Sequence, residues 1–249
     1  MTRTDLAVFF RAARDLLLPR VCAVCREAIP ADVPGRLCAG CLVALEDLGG
    51  DGRDACARCA APREGKRCRR CPNAKGKSPV EAAVAFGPFE GVLRQAVHAL
   101  KFGGDPGLGK ALGRLVARAV GRRSEPRSAD LVIPVPLHFS RLFERGYNQS
   151  AVLARQVAQA LGKPLVLDAL VRTRGAAEQS GSTRTQRQEN VRDAFLVRGE
   201  RVDGRTVLLV DDVLTTGATA RECAVALQRA GAKKVYVAAL ARAREGGGA

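Results

Sequence analysis

The segment 207–219 constrains the fold more than any other part of this 249-residue chain. Its sequence is Val-Leu-Leu-Val-Asp-Asp-Val-Leu-Thr-Thr-Gly-Ala-Thr, an apolar run that leads into two carboxylates and a Thr/Gly-rich turn. The run predicts a buried strand at Val207–Val210, and the apolar spacing beyond the turn predicts a helix at Thr219–Ala230. Because ligands of such strand–helix sheets bind beyond the carboxyl ends of the strands, we expect the functional site at this turn.

The turn has the chemistry of a phosphate site. Successive backbone N–H groups at a helix N-terminus bind anions, and the hydroxyls of three threonines would add donors. Gly217 lets the backbone approach a phosphate closely. The predicted phosphate-binding residues are Thr215, Thr216, Gly217, Ala218 and Thr219.

Asp211 and Asp212 need a different ligand, because two carboxylates repel a phosphate. They suit the hydroxyls of a ribose, or the waters of a metal ion that bridges ribose and pyrophosphate. We therefore predict a sugar with a 5′-phosphate and Mg²⁺, with these two aspartates as the catalytic pair. The alternative is a helix-capping turn after a buried strand, but two adjacent acids at an apolar strand end disfavour it.

Strand and helix signals alternate through the rest of the chain, which predicts an α/β fold with a mostly parallel sheet flanked by helices. Further strands are predicted at Val80–Phe86 (at an edge and antiparallel), Leu131–Val135, Leu165–Leu167, Phe195–Val197 and Val235–Leu240. Further helices are predicted at 5–18, Phe89–Lys101, Leu108–Val120 and Gln149–Leu161. A linker of Lys, Gly, Ser and Pro at 73–79 predicts two domains, 1–76 and 77–245.

Eight of the nine cysteines form four Cys-x-x-Cys pairs near the N-terminus. Two such pairs supply the four thiolates of one tetrahedral zinc ion, so the spacing predicts two structural zinc sites. The pairs can combine sequentially along the chain or in an interleaved order. The predicted ligands are Cys22, Cys25, Cys38, Cys41, Cys56, Cys59, Cys68 and Cys71. Cys223 stands alone in a predicted helix, where we expect a small buried residue.

The segment 207–219 resembles the signature of the type I phosphoribosyltransferases, which bind 5-phosphoribosyl 1-pyrophosphate. Over nearly its whole length the chain resembles the ComF family of competence-associated proteins. The motifs that carry this resemblance are the cysteine-rich N-terminus, the segments 101–105, 133–137 and 145–149, and the spaced Gln179, Arg184, Arg187 and Asn190.

The resemblance implies a phosphoribosyltransferase-like fold behind a small four-cysteine zinc-ribbon module. It also implies a link to DNA uptake and single-stranded DNA during natural transformation, with a competence helicase as a candidate partner. Two activities remain open. The chain is either a phosphoribosyltransferase with an unidentified acceptor, or an inactive protein that binds single-stranded DNA or docks a partner.

Two arginine-rich segments add candidate anion contacts. Arg141 and Arg145 follow the strand at 131–135, where the resemblance places the pyrophosphate, and they could instead form a solvated helix start. The loop 172–192 resembles the mobile lid of these transferases, and its arginines could neutralise a leaving pyrophosphate or bind a nucleic-acid backbone.

The net charge of +16 suits a polyanionic partner, either nucleic acid or a phosphorylated metabolite. Aromatic residues make up only 4% and tryptophan is absent, which favours electrostatic contacts over base stacking. The apolar stretch at 6–10 is too short for a signal peptide, and no run approaches the ~18 apolar residues of a membrane span. We therefore expect a cytoplasmic protein.

Overall fold

The computed structural model describes residues 20–30, 33, 35–49, 55–63, 68, 71, 78–173 and 194–243. The helix predicted at 5–18 and residues 174–192 of the predicted lid lie outside these ranges. Within the described residues, no helix has the length and apolar character needed to cross a bilayer.

A four-stranded parallel sheet confirms the predicted fold class. Its strands are β1 (Ala82–Pro88), β2 (Leu131–Pro134), β5 (Thr206–Leu214) and β6 (Lys234–Arg242), in the spatial order β1-β6-β5-β2. The expectation that the first strand would be antiparallel is wrong, because β1 pairs with β6 in parallel at one edge. The strands that flank β5 therefore leave its carboxyl end in the middle of the sheet.

Two short strands, β3 (Leu170–Arg172) and β4 (Phe195–Val197), form a separate antiparallel pair. The strand predicted at Leu165–Leu167 is reduced to one parallel bridge between Leu165 and Val132. Leu167 is exposed, so a full strand there would gain little burial.

The helices are α1 (Ala39–Leu48), α2 (Gly91–Phe102), α3 (Pro106–Gly121), α4 (Ser124–Arg127), α5 (Phe139–Arg145), α6 (Gln149–Leu161) and α7 (Ala218–Arg229). The structure confirms α6 at its predicted bounds. The Asn148 side chain accepts from the N–H groups of Ser150 and Ala151, and Gly162 ends the helix in the left-handed conformation.

Alternate residues of β5 face two different halves of the core. Leu208 and Val210 pack with α2, α3 and α6, whereas Val207 and Leu209 pack with α7. The two faces of the sheet are thus both covered, as in other parallel sheets.

Helices α3 and α6 approach closely because α3 carries glycine where they touch. A Cβ on Gly109 would lie 2.6 Å from Cγ1 of Val152, and one on Gly113 would lie 2.7 Å from Cγ of Gln156. The missing side chains let α6 settle against the sheet, with its first turn at the carboxyl end of β5.

The two cysteine-containing segments pack on opposite faces of the sheet. On one face, Cys41 and Leu45 of α1 are buried in the same core as Leu93 and Leu100. On the other face, Ala60 joins the core beneath α7, and the carbonyl of Ala57 accepts from the Ala83 N–H of β1 at 2.8 Å. A domain boundary between 76 and 77 remains a prediction.

Candidate active site

Asp211 and Asp212 lie inside β5, not beyond its end. The strand was predicted to end at Val210, but its parallel ladder with β6 continues through Asp211 to Leu214. Both carboxylates are buried. Two adjacent polar residues predict the end of a buried strand. Here the backbone pairing to β6 and the cover supplied by α6 keep both aspartates within β5.

The first turn of α6 covers the two aspartates with neutral donors. Ser150 donates from Oγ to Oδ1 of Asp211 at 3.1 Å, and Gln149 donates from Nε2 to Oδ2 of Asp212 at 2.9 Å. Lys101 adds a cation, with Nζ 3.3 Å from Oδ2 of Asp212. Asp212 therefore lies between a side-chain amide and an ammonium group.

The pKa of Asp211 is raised from its ordinary value of 3.8 to about 7. Burial is the main cause, and the neighbouring charge of Asp212 adds to it. The hydrogen bond from Ser150 and the charge of Lys101 oppose the rise without cancelling it. Carboxyl groups whose pKa is raised in this way are typical of functional sites.

The turn after β5 forms the predicted helix N-terminus. Gly217 has φ of 80° and leads directly into α7 at Ala218, while Thr215 and Thr216 are exposed. Oγ1 of Thr216 accepts from the Ala218 N–H at 3.2 Å. Thr219 lies in the first turn of α7. All five predicted phosphate-binding residues are thus gathered at the start of one helix.

Arg242, at the end of β6, forms hydrogen bonds to the backbone of this turn. Its Nη1 donates to the carbonyls of Leu214, at 2.8 Å, and of Thr215. The side chain is buried, and its Nε has no hydrogen-bond partner among the described residues. Arg242 thus fixes the first two carbonyls of the turn.

The predicted Arg141 and Arg145 lie on α5, which follows β2. The chain thus enters α5 from the same edge of the sheet as the aspartates, because Pro134 of β2 pairs with Val210 of β5. Arg141 is exposed, whereas Arg145 is half-buried with its guanidinium 5.3 Å above the Phe102 ring. Within the described part of the chain, Nε of Arg145 is buried without a hydrogen-bond partner.

Gln149, Ser150 and Arg242 were not predicted as site residues, and Lys101 was not assigned to Asp212. Gln149 and Ser150 follow Asn148, a recognisable N-cap that marks where α6 begins. The signal for Arg242 is a cation directly after the apolar run 235–241.

The thiols of Cys22, Cys25, Cys38 and Cys41 converge, with all sulfur atoms within 4.8 Å of one another. We call this the first cysteine cluster. In the second cysteine cluster, Cys56, Cys59 and Cys71 meet the same limit, and Sγ of Cys68 lies 3.6 Å from Sγ of Cys59. The pairs therefore combine sequentially in the structure, and two clusters of this kind could each bind a metal ion.

The backbone around each cluster favours thiolates. Burial raises the pKa of Cys22, but hydrogen bonds from backbone N–H groups, with that of Cys38 the strongest, lower it by more. The pKa therefore falls from its ordinary 9.0 to about 6. The turns at Cys22 and Cys56 have matching hydrogen bonds, and each is followed by a residue with positive φ, Arg26 or Ala60. Ala39 and Gly40 begin α1, which Cys38 caps.

A cavity of about 350 Å³ separates the second cysteine cluster from the turn after β5. Its lining includes Cys59 and Cys71 on one side and Thr216, Gly217, Arg221 and Arg242 on the other. The cysteine cluster and the predicted phosphate site thus share one cavity.

Residues 148–249 match the family model of the phosphoribosyl transferase domain. The chain is 29% identical over 228 residues to competence protein F of Haemophilus influenzae, covering 89% of this chain and 96% of that protein. It is 31% identical over 232 residues to the DNA utilization protein YhgH of Shigella flexneri, covering 91% and 99%. A solved structure of the allosteric regulatory enzyme of purine biosynthesis matches 57% of this chain and 30% of that one, at 23% identity and a TM-score of 0.41.

Proposed function

The chain belongs to the family of competence protein F and YhgH and carries a phosphoribosyltransferase domain, and on this premise we propose that it binds 5-phosphoribosyl 1-pyrophosphate with Mg²⁺. The proposed site is the carboxyl end of β5, where Asp211 and Asp212 meet the turn that opens α7.

The observation that carries this proposal is a pair of buried polar atoms with no hydrogen-bond partner among the described residues. Oε1 of Gln149 is an acceptor beside Asp212, and Nε of Arg145 is a donor on the neighbouring helix. Buried polar groups are rarely left unpaired, so each atom indicates a missing ligand group. A ribose hydroxyl or metal-bound water fits the acceptor, and a pyrophosphate oxygen fits the donor.

Each part of the site then has a role. The N–H groups from Thr216 to Thr219 hold the 5′-phosphate at the start of α7, with the hydroxyls of Thr215, Thr216 and Thr219 as further donors. Asp211 and Asp212 face the ribose hydroxyls. Arg141 and Arg145 face the pyrophosphate, and Lys101 is close enough to shift from Asp212 to a phosphate oxygen.

Mg²⁺ fits the donor set, because carboxylate oxygens are the ligands it prefers. Asp211 and Asp212 would hold it through oxygen atoms or waters, and the ion would neutralise charge on the pyrophosphate. The cysteine clusters suit zinc instead, because four thiolates at tetrahedral spacing are typical of structural zinc sites. Thiols kept for metal binding also support a cytoplasmic location, where disulfides rarely persist.

Calorimetric titration of the purified protein with 5-phosphoribosyl 1-pyrophosphate tests the proposal. We expect binding that tightens with Mg²⁺ and falls at least about tenfold in Asp212→Asn, the loss of one charge-assisted contact. Asp168→Asn, an exposed carboxylate far along the chain, is the matched control. Absence of heat from the wild-type protein, with and without Mg²⁺, would overturn the proposal.

Whether a transfer reaction follows binding is a separate question. If the chain is a transferase, pyrophosphate is released only when an acceptor is present. Incubation with the ligand and a panel of bases and amines, with pyrophosphate as the readout, separates the two activities. Release with one acceptor identifies an enzyme, and the absence of release with any of them supports a binding protein.

The second proposed ligand is single-stranded DNA, supported by the net charge of +16 and by the names of the relatives, which refer to competence and DNA utilization. Binding through phosphates falls steeply as salt rises. Titration of labelled single strands at several salt concentrations tests this, and an affinity independent of salt contradicts it. The helicase partner implied by the resemblance stays a prediction.

A further inference from the structure

The most exposed aromatic side chains of the described residues lie at the end of α2 and on α5. Phe102, Phe139 and Phe143 are 66%, 74% and 83% exposed. The low aromatic content favours electrostatic contacts over base stacking. Stacking on a ligand nevertheless depends on where the few rings lie, and these three are on the surface. Exposed apolar groups that cluster in this way are typical of binding surfaces.

Guanidinium groups flank a row of stacked rings on this surface. His98 stacks between Phe89 and Phe102, with 6.1 Å between ring centroids on each side. Arg94 lies over Phe89 at 5.9 Å, and Arg145 lies over Phe102 at 5.3 Å. The result is a continuous column of three rings with a cation at each end.

Helix α5, whose Arg145 lies over Phe102, carries a second pair of rings. Phe139 and Phe143 lie 6.5 Å apart, and none of the seven residues of α5 is buried. Its sequence, Phe-Ser-Arg-Leu-Phe-Glu-Arg, sets two guanidinium groups against one carboxylate. A helix that buries nothing within the described fold has its apolar side chains free for a ligand.

We propose that these residues form a stacking surface for the unpaired bases of single-stranded DNA. We call it the aromatic surface and define it as Phe89, His98, Phe102, Phe139 and Phe143 with Arg94 and Arg145. Bases of any sequence stack on aromatic rings, while arginine pairs with the phosphates and also packs on base faces. The presence of cations beside the rings favours a polynucleotide over an apolar peptide.

The aromatic surface adjoins the proposed phosphoribosyl site. Phe102 follows Lys101, whose Nζ is 3.3 Å from Oδ2 of Asp212. The Tyr147 hydroxyl donates to the carbonyl of Leu100, which ties the end of α2 to the segment before α6. The inference rests on the second ligand proposed above, and it places a DNA strand along the rim of the phosphoribosyl site.

The absence of tryptophan makes a direct test available. Phe143→Trp and Phe102→Trp each introduce the chain's single tryptophan, whose fluorescence we expect a thymidine 20-mer to quench. Stacking also predicts that an abasic strand with the same number of phosphates binds weakly and does not quench. Quenching by the abasic strand equal to that by the 20-mer would overturn the proposal.

Affinity measurements separate stacking from charge. Phe102→Ala, and the double variant Phe139→Ala/Phe143→Ala, should each weaken 20-mer binding by about 5- to 100-fold with an unchanged salt dependence. Leu167→Ala and Leu196→Ala remove exposed leucines elsewhere and are the matched controls. Arg145→Gln should reduce the salt dependence as well. Wild-type affinity in both phenylalanine variants would refute the proposal.

Titration of the same variants with 5-phosphoribosyl 1-pyrophosphate keeps the two proposals apart. We expect the double variant Phe139→Ala/Phe143→Ala to bind this ligand like the wild type, which also shows that it is folded, whereas Phe102→Ala removes the ring beneath Arg145 and is not used for this comparison. A change of assembly state in these variants relative to the wild type, without loss of DNA binding, would identify the surface as a contact between protein chains and would overturn the inference.

Discussion

Ser150 donates a hydrogen bond of 3.1 Å to Asp211, and this buried pair joins the first turn of α6 to the central strand. Folding buries Asp211, which makes its charged form less favourable and raises its pKa to about 7. The group therefore makes stability depend on pH in a direction opposite to that of most carboxylates.

The sign follows from proton uptake. Between an unfolded pKa near 4 and a folded pKa near 7, the native state holds a proton that the unfolded state has released. Stability should therefore fall as pH rises through this interval, and Asp211→Asn should flatten the dependence and stabilise the ligand-free protein at pH 8. Urea unfolding between pH 5 and 8, without added Mg²⁺, measures this. Asp168→Asn is the control, and an equal flattening there contradicts the assignment.

The close approach of α3 and α6 gives a second prediction. Gly109→Ala should destabilise the protein by about 1–3 kcal/mol, because its Cβ would meet Val152. The same change should weaken phosphoribosyl ligand binding by displacing Gln149 and Ser150. Gly121→Ala, at the end of the same helix with no atom near its Cβ, should be neutral or slightly stabilising. Similar losses in both variants would show that helix contact is not the cause.

Arg242 provides a third prediction, about binding. Arg242→Lys keeps the charge but cannot span the carbonyls of Leu214 and Thr215 in the same way. We expect about 10- to 100-fold weaker phosphoribosyl ligand binding, since one charged hydrogen bond contributes about 1.5–3 kcal/mol. Arg155→Lys, exposed on α6, is the control. Calorimetry gives the affinities, and unchanged binding by Arg242→Lys would contradict its role in holding the turn.

The fourth prediction concerns metal. Eight thiols in two clusters predict about two zinc ions per chain by elemental analysis. Cys41 of the first cluster belongs to the core that includes Leu93, so Cys22→Ser should lower the unfolding temperature of the whole domain in one transition. A separate transition at lower temperature would show that the first cluster unfolds independently, provided that the transition stabilised by 5-phosphoribosyl 1-pyrophosphate keeps its midpoint. A zinc content near one would contradict the count of eight ligands.

Sequence patterns predicted what depends on neighbours along the chain. The bounds of α6 were predicted from the sequence pattern, and the turn at Gly217 followed from its glycine and threonines. Cys223 is fully buried, as expected. These features are determined by local backbone preferences and by the burial of one face.

The features that were missed depend on contacts between distant segments. Helix α5 has no buried residue, so no apolar periodicity marks it. β5 continues through two aspartates because β6 pairs with it and α6 supplies donors to them. Lys101 meets Asp212 only after two helices pack on the sheet. Such encounters leave no spacing signal in one sequence.

The bond from Ala83 to the carbonyl of Ala57 closes part of the outer edge of β1. Strands with free edges recruit other strands, so what covers an edge also protects a protein from self-association. The turn that supplies this carbonyl is the one that holds Cys56 and Cys59. Loss of metal from the second cysteine cluster would release that turn and expose the edge of β1. Molecules whose sheet is still folded would then aggregate through this edge.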